Sequence, residues 1–152
     1  MVGKKPKLIK FSEFTDYRGS LFHNNDLDLS EVKRTYSVVN PKNYTVRAWH
    51  GHQIEEKLVL VEKGIFDIFL ISFDDVKQNN NTKSVIKFTL KPNSSALYIP
   101  KGFYNGSINI EKNSSIRYFS STNIEISKQD DFRILPKDID VWKSYNVSIF
   151  EK

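Results

Sequence analysis

The sequence contains no cysteine, which excludes a disulfide framework, a thiolate metal site and a catalytic cysteine. It has no run of eighteen apolar residues, and no apolar stretch of signal-peptide length follows its basic N-terminal segment MVGKKPKLIKF. A membrane-spanning helix and a secretory signal are therefore not expected. These absences predict a cytoplasmic protein with no membrane partner.

The charge is modest and lacks the pattern typical of nucleic-acid binding. Lys and Arg number 23 and Asp and Glu 18, for a net charge of +5, and no basic stripe is interleaved with aromatic residues. The excess of positive charge mildly favours an anionic ligand. Of the 152 residues, 39% are hydrophobic and 13% aromatic, enough for the core of one compact domain. We therefore expect a single domain over residues 1–152 and no nucleic-acid partner.

Short segments rich in Val, Ile, Phe and Tyr recur along the chain, separated by turn clusters of Gly, Pro, Asn and Ser. A spacing of about 8–12 residues between such segments predicts an all-β sandwich or barrel of antiparallel strands. The predicted strands are KLIKF, SLFHNN, RTYSVV, TVRAWHGH, EKLVLVEK, IFDIFLISF, VIKFTL, SALYIP, GSINI, SIRYFSS and DFRIL.

Two of the three histidines lie two residues apart in the predicted strand TVRAWHGH. Alternate residues of a strand share a face, so we expect His50 and His52 to point the same way. Arg47 and Trp49 would then point to the opposite face. Together with the acid Glu56, two imidazoles suit a divalent metal. The alternatives are proton-transfer groups and ordinary polar strand residues.

Two segments resemble the paired motifs of the cupins. HGHQIEEKLVLVEKG is similar to the first motif, HxH(x)3-4E(x)6G, with one extra residue before Gly64, and PKGFYNGSIN is similar to the second, PxG(x)2H(x)3N. The resemblance implies a cupin fold, a double-stranded β-helix or jelly-roll barrel. Asn105 stands where the second motif has its metal-binding histidine. Since an amide is a poorer transition-metal ligand than imidazole, we predict no metal and no cofactor.

Five blocks in order resemble the dTDP-4-dehydrorhamnose 3,5-epimerase family, RmlC-like cupins that act on nucleotide-linked keto sugars without a metal. The blocks are FTDYRGSLF, VRAWHGHQ, KLVLVEKGIFDIFL, LYIPKGF and IRYFSS. The resemblance implies an isomerase that abstracts a proton at C3 and/or C5 of a dTDP- or other nucleotide-linked 4-keto-6-deoxyhexose, in deoxysugar and cell-surface polysaccharide biosynthesis. Relatives of this kind are generally homodimers, so a homodimer is expected.

The same resemblance implies roles for individual residues. It makes His50 the general base, Tyr118 the proton donor on the opposite face of the sugar, and Lys57 the cation beside the C4 oxygen. Arg18 and Arg47 would bind the anionic part of the substrate or sugar oxygens. These residue types suit the chemistry, because an enolate needs a fixed cation or donor and guanidinium binds pyrophosphate in a bidentate manner.

Other residues are assigned from their sequence context. Phe22 and Trp49 are candidates for the pocket wall or the core, since an aromatic ring near an arginine can stack on a base or sugar. Asn105 is a further substrate-binding candidate. Asp130 and Asp131 are expected to be solvated loop acids.

Two features leave the reaction open between alternatives. The epimerase family pairs its histidine with an aspartate in a C-terminal L-S-x-K-D segment, whereas this chain has VSIFEK, in which Glu151 is the candidate substitute. VKRTYSVV and the HxH pair resemble a sister group, the dTDP-4-keto-6-deoxyhexose 3,4-ketoisomerases. There His50 and His52 would move protons between C3 and the oxygens, with help from Tyr36. An alternative of another class is a non-catalytic or metal-binding cupin module.

Overall fold

The computed structural model describes residues 3–79 and 82–147, and most of its regular structure is antiparallel β-strand. The strands are β1 (Lys7–Lys10), β2 (Ser12–Asp16), β3 (Gly19–His23), β4 (Arg34–Asn40), β5 (Val46–His52), β6 (Lys57–Lys63), β7 (Phe66–Ser72), β8 (Ile86–Leu90), β9 (Ser95–Ile99), β10 (Phe103–Asn109), β11 (Ser114–Ser120) and β12 (Phe132–Arg133). All eleven strands predicted from the sequence occur, which confirms the all-β class.

The sequence analysis missed one strand and two short helices. β2 is a mostly polar strand whose one pairing partner among the described residues is β3. The helices α1 (Phe73–Lys77) and α2 (Ile124–Gln129) are too short for helical periodicity to reveal them. Each helix begins with a side-chain cap. At α1 the side chain of Ser72 accepts a hydrogen bond from the N–H of Asp75, and at α2 the side chain of Asn123 accepts one from the N–H of Ile126. Neither helix is long and apolar enough to cross a membrane.

Two five-stranded sheets build the barrel. One has the order β1-β9-β6-β11-β4 and the other β12-β5-β10-β7-β8, and the strands pair antiparallel throughout. Side chains from both sheets form the larger core cluster: Val59, Val61, Phe66, Ile68, Leu70, Leu90, Leu97, Ile99, Ile116 and Tyr118. Two sheets enclosing a shared core form the predicted jelly-roll barrel.

β7 is covered on both faces, which explains its nearly continuous apolar sequence. Because side chains alternate along a strand, Phe66 and Ile68 enter the larger cluster. Phe69 and Ile71 enter a second cluster on the other face, together with Trp142. The C-terminal segment, with 3-10 turns at Pro136–Ile139 and Lys143–Tyr145, therefore packs against the outside of the second sheet.

β2 and β3 form a hairpin that makes a separate two-stranded sheet. Large apolar side chains are exposed along it: Phe14, Tyr17, Leu21 and Phe22. Arg18 lies at its turn, where its guanidinium pairs with the Asp16 carboxylate at 2.7 Å.

Candidate active site

A cavity of about 310 Å³ is lined by strands of both sheets and by α2. Its lining residues are Arg34, Tyr36, Val38, Arg47, His50, His52, Lys57, Asn105, Ser107, Tyr118, Ile124, Ser127, Lys128, Asp131 and Arg133. Seven of these, His50, His52, Lys57, Tyr36, Tyr118, Arg47 and Asn105, are among the site residues named from the sequence. The cationic side chains outnumber the acidic ones, so the cavity suits an anionic ligand.

An irregularity in β5 brings Arg47 to the same cavity as the two histidines. In the pairing of β5 with β10, Asn105 lies opposite His50 but Ser107 lies opposite Arg47, so β5 contains one extra residue. A residue inserted in a ladder resets the alternation of faces beyond it. The prediction that Arg47 points away from the histidines is therefore wrong.

His50 has an environment that keeps its imidazole neutral. Burial, followed by the nearby charges of Arg133 and Lys57, lowers the pKa of His50 to about 4, while Asp131 opposes the shift. A neutral imidazole has a free lone pair at neutral pH and can accept a proton. His50 therefore has the protonation state that a general base needs.

His52 is held by contacts on both ring nitrogens. Nδ1 lies 2.5 Å from the carbonyl oxygen of Asp130, and Nε2 lies 3.1 Å from Oε2 of Glu55. Burial and the Lys57 ammonium lower the pKa of His52, whereas Glu55 and Asp130 act in the opposite direction. His52 lines the cavity, but its two nitrogens face protein groups.

The carboxylate of Glu55 is fully buried beneath this cavity. The donors and cations that face it are Arg34 Nη2 at 3.0 Å, Ser127 Oγ at 3.3 Å, Lys57 Nζ at 3.8 Å and Ser120 Oγ. Nε2 of His52 lies 3.1 Å from the carboxylate but makes no directed hydrogen bond with it. Burial raises the pKa of Glu55, but these neighbours outweigh it and the net direction is downward. Buried carboxylates are tolerated only when partnered in this way.

Two tyrosines and a lysine form one wall. The rings of Tyr36 and Tyr118 are stacked, with centroids 5.1 Å apart, and Lys57 Nζ lies 5.5 Å from the Tyr118 ring centroid. Burial raises the pKa of each tyrosine to about 12. Both phenols are therefore protonated at neutral pH and available as hydrogen-bond donors.

Arg47 is held at the cavity by a buried chain of amides. Its Nε donates to Oδ1 of Asn40 at 2.9 Å, and Nδ2 of Asn40 donates to Oδ1 of Asn109 at 3.0 Å. Both asparagines are buried. Asn109 therefore holds Asn40 in place, and Asn40 in turn orients the Arg47 guanidinium through its Nε.

Three of the predicted substrate-binding residues lie outside the cavity. Trp49 is fully buried in the second core cluster, where Nε1 donates to the carbonyl of Ile139. Arg18 and Phe22 lie on the β2–β3 hairpin. Asn105 does line the cavity, and its amide donates to the carbonyl of His50 at 2.9 Å, which braces β10 against β5.

The acids are arranged differently from the sequence-based prediction. Glu56 is not among the cavity-lining residues, and Glu55 takes the position beside His52. Within residues 3–79 and 82–147, no group of three or more His, Asp or Glu side chains is arranged to hold a metal ion. Glu151 lies outside the described residues.

Asp130 was predicted to be a solvated loop acid, and this is wrong. Its carboxylate is buried and accepts from the backbone N–H groups of Gln53, Ile54 and Glu55 at 2.8–2.9 Å. It closes the loop between β5 and β6. Asp131 is exposed, as predicted, and pairs with Arg133.

Sequence reasoning missed several lining residues. Arg34 precedes Tyr36 by two positions in β4, so strand alternation could have placed it on the same face. Its guanidinium carbon lies 4.8 Å from the Tyr36 ring centroid. Three other lining residues belong to a segment that matches no motif: Ser127, Lys128 and Arg133. They reach the cavity because the folded chain places this segment beside it.

The chain is similar to a protein family and to several solved structures. The family model FdtA: WxcM-like, C-terminal matches residues 4–133. A double mutant of the QdtA 3,4-ketoisomerase from Thermoanaerobacterium thermosaccharolyticum, in complex with TDP, is 21% identical, with a TM-score of 0.67 over 94% of this chain and 97% of that one. A comparison with curated proteins found no match.

Two further structures share the fold. The WlaRB TDP-quinovose 3,4-ketoisomerase from Campylobacter jejuni is 22% identical, with a TM-score of 0.68 over 90% of this chain and 98% of that one. A dTDP-4-dehydrorhamnose 3,5-epimerase from Bacillus anthracis, with TDP and PPi bound, is 17% identical, with a TM-score of 0.71 over 90% and 83%. These similarities confirm the RmlC-like cupin fold. Because the family model matches most of its length, this chain belongs to the WxcM-like, C-terminal (FdtA) family.

Proposed function

We propose that this protein is an isomerase that acts on a nucleotide-diphosphate-linked 4-keto-6-deoxyhexose and begins by removing the proton at C3. The observation that carries the proposal is the neutral imidazole of His50 in a cavity that also holds Lys57 and Arg47. A proton next to a ketone is removed only if the enolate charge is stabilised by a fixed cation or donor. Lys57 is the cation for the C4 oxygen, and Arg47 binds the anionic part of the substrate.

The finer reaction that we favour is 3,4-ketoisomerisation. The chain spans 97% and 98% of the lengths of two proteins named as 3,4-ketoisomerases, against 83% of the epimerase from Bacillus anthracis. In this reaction the C3 proton goes to His50 and returns to C4, while one proton is added at O4 and one is lost from O3. Tyr36, whose pKa lies well above neutrality, is the candidate donor to O4.

The 3,5-epimerase is the second candidate, supported by Tyr118. Epimerisation needs a second acid that returns the proton to the opposite face of the sugar. Tyr118 lines the cavity, and its pKa of about 12 keeps it protonated. In both reactions the chain would work without a metal, in the cytoplasm, in deoxysugar and cell-surface polysaccharide biosynthesis.

We also propose a homodimer in which the β2–β3 hairpin reaches a second copy. The hairpin exposes apolar side chains on a separate small sheet, and such a surface is typical of an interface. Arg18, assigned to substrate binding by family resemblance, and Phe22, a pocket-wall or core candidate from its sequence context, lie on this hairpin and outside the cavity of their own chain. Both residues would bind substrate in the cavity of the partner.

The test is an NMR time course of chelator-treated protein with dTDP-4-keto-6-deoxyglucose in D2O. Movement of the ketone to C3 is expected for the ketoisomerase, whereas deuterium at C3 or C5 with the ketone retained at C4 would establish the epimerase. His50→Ala should abolish either reaction. Glu62→Gln, on the exposed side of β6 where Glu62 pairs with Arg117, is the matched control and should leave the rate unchanged.

Three outcomes would contradict the proposal. Full activity of His50→Ala would exclude His50 as the base. Tight binding of the nucleotide sugar without any hydrogen exchange would favour a non-catalytic cupin module. Activity that requires added metal after chelation would favour a metal-binding cupin.

A further inference from the structure

Arg133 lies beside His50 on the neighbouring strand. In the antiparallel pairing of β12 with β5, Arg133 is directly opposite His50. The adjacent pair, Trp49 and Ile134, exchanges both backbone hydrogen bonds, at 3.0 and 3.3 Å, so His50 and Arg133 form the non-hydrogen-bonded pair in which opposite side chains come closest. Side chains of opposite residues share a face, and both of these line the cavity.

The Arg133 guanidinium is anchored at one end. Its Nε donates to both carboxylate oxygens of Asp131, at 3.1 and 3.0 Å, and its side chain is 65% exposed. In the part of the chain that the structure describes, its two terminal amino groups have no hydrogen-bond partner. Asp131 therefore orients the guanidinium through Nε and leaves free the edge that can contact two oxygens of one phosphate.

Two other cations of the cavity, Arg34 and Lys57, already face a buried carboxylate. Arg34 Nη2 donates to Glu55 at 3.0 Å, and Lys57 Nζ lies 3.8 Å from it. Arg47 resembles Arg133 instead, because it is held through Nε and its terminal amino groups have no partner among the described residues. Arg47 and Arg133 thus offer one guanidinium for each phosphate of a diphosphate.

We propose that Arg133 binds a phosphate of a diphosphate-containing ligand and links the presence of that ligand to the basicity of His50. The inference rests on the proposed function only in taking the ligand to carry a diphosphate. It adds a second arginine to the anion-binding residues, from a segment in which the sequence shows no motif.

The link between the two residues is electrostatic. Burial is the largest cause that lowers the pKa of His50, and the charge of Arg133 is the next; Lys57 and His52 also lower it, and Asp131 raises it. A phosphate on Arg133 would offset the charge of the guanidinium, so the pKa of His50 rises when the ligand binds. A base acts best when its pKa lies near the working pH. His50 therefore becomes a stronger base in the occupied cavity.

Two variants of Arg133 separate its charge from its geometry. Arg133→Gln removes the charge, whereas Arg133→Lys keeps the charge and loses the planar pair of amino groups. The matched control is Arg117→Gln, because Arg117 also pairs with a carboxylate through Nε, that of Glu62, but lies outside the cavity.

The first measurement is the affinity for inorganic pyrophosphate by calorimetry at pH 7.5 and fixed ionic strength. Arg133→Gln should raise Kd about tenfold, as expected for the loss of hydrogen bonds to a charged group. Arg133→Lys should fall between Arg133→Gln and the wild type, and Arg117→Gln should match the wild type. An unchanged Kd for Arg133→Gln, or an equal rise for Arg117→Gln, would overturn the proposed contact.

The second measurement is an NMR titration of the His50 ring between pH 3.5 and 7.5, with and without saturating pyrophosphate. In the wild type, pyrophosphate should raise the pKa of His50. In free Arg133→Gln this pKa should already lie above that of the free wild type, and pyrophosphate should raise it less. A pKa of His50 that does not change with pyrophosphate, or with Arg133→Gln, would overturn the link.

Neither measurement requires turnover of a sugar substrate. Failure of the proposed function appears as full activity of His50→Ala, whereas failure of this inference appears in the pyrophosphate affinity and in the titration of His50. The two failures are therefore distinguishable.

Discussion

His50 and His52 show how two identical side chains, two positions apart in one strand, acquire different properties. His50 is largely buried, with the cations Arg133 and Lys57 nearby, and its pKa is lowered to about 4. His52 is anchored to the Asp130 carbonyl and faces a carboxylate. Different environments of neighbouring titratable groups are typical of sites in which the two groups have separate roles.

The low pKa of His50 predicts a pH dependence of stability. The imidazole has its ordinary pKa of 6.5 in the unfolded chain and about 4 in the folded protein, so the unfolded state binds more protons between these values. The contribution of His50 to the free energy of unfolding should therefore be fully present above pH 6.5 and decrease as the pH falls toward 4. Urea unfolding of wild type and His50→Gln at several pH values checks this.

In His50→Gln the decline should be shallower, because the substituted side chain does not titrate. Parallel curves for the two proteins would show that the folded-state pKa of His50 lies near its ordinary value. The same result would weaken its assignment as a base that stays neutral below pH 6.

At the scale of elements, the cavity depends on contacts that join α2 and the residue after it to distant strands. Asp130 accepts three backbone hydrogen bonds from residues 75–77 positions earlier in the chain. Ser127 of α2 donates to Glu55 and accepts from Arg34. α2 thus closes one side of the cavity and fixes the loop that carries the buried carboxylate.

Asp130→Asn should destabilise the protein by about 1–3 kcal/mol, because the amide NH2 would face a buried N–H that then has no acceptor. Asp131→Asn is the matched control, since Asp131 is exposed and forms a surface pair with Arg133. Its effect should stay within about 0.5 kcal/mol. Chemical denaturation of both variants measures the difference, and equal stabilities would contradict the role given to the Asp130 carboxylate.

At the scale of the whole molecule, the proposed dimer makes a prediction about mixed subunits. If the hairpin of one subunit completes the cavity of the other, a dimer of one Arg18→Ala and one His50→Ala subunit has one site with both defects and one site with neither. After the two inactive variants are mixed and exchanged, activity should recover to about one quarter of wild type, as random two-fold pairing requires.

Light scattering of the wild type supplies the independent check on the oligomeric state. A monomer at assay concentration would contradict the proposed dimer. A dimer in which mixing restores no activity would show that Arg18 does not act across the interface.

Local patterns in the sequence were enough to predict most of the strands and several residues of the candidate site. Eleven strands were predicted, because alternation and turn residues are local signals. The resemblance to the epimerase family singled out His50, Lys57 and Tyr118, and the resemblance to the ketoisomerases added His52 and Tyr36. All five line one cavity. Strand alternation alone was enough to place the two histidines on a common face.

Other features were decided only by the tertiary structure. The extra residue in β5, which carries Arg47 to the face of the histidines, follows from pairing with β10, and strict alternation gives no sign of it. The choice of Glu55 over Glu56 depends on five neighbouring side chains from separate parts of the chain. The role of Asp130 depends on a loop more than seventy positions away. Periodicity records which face a residue occupies, whereas burial and charge pairing arise from contacts between segments that only the folded chain brings together.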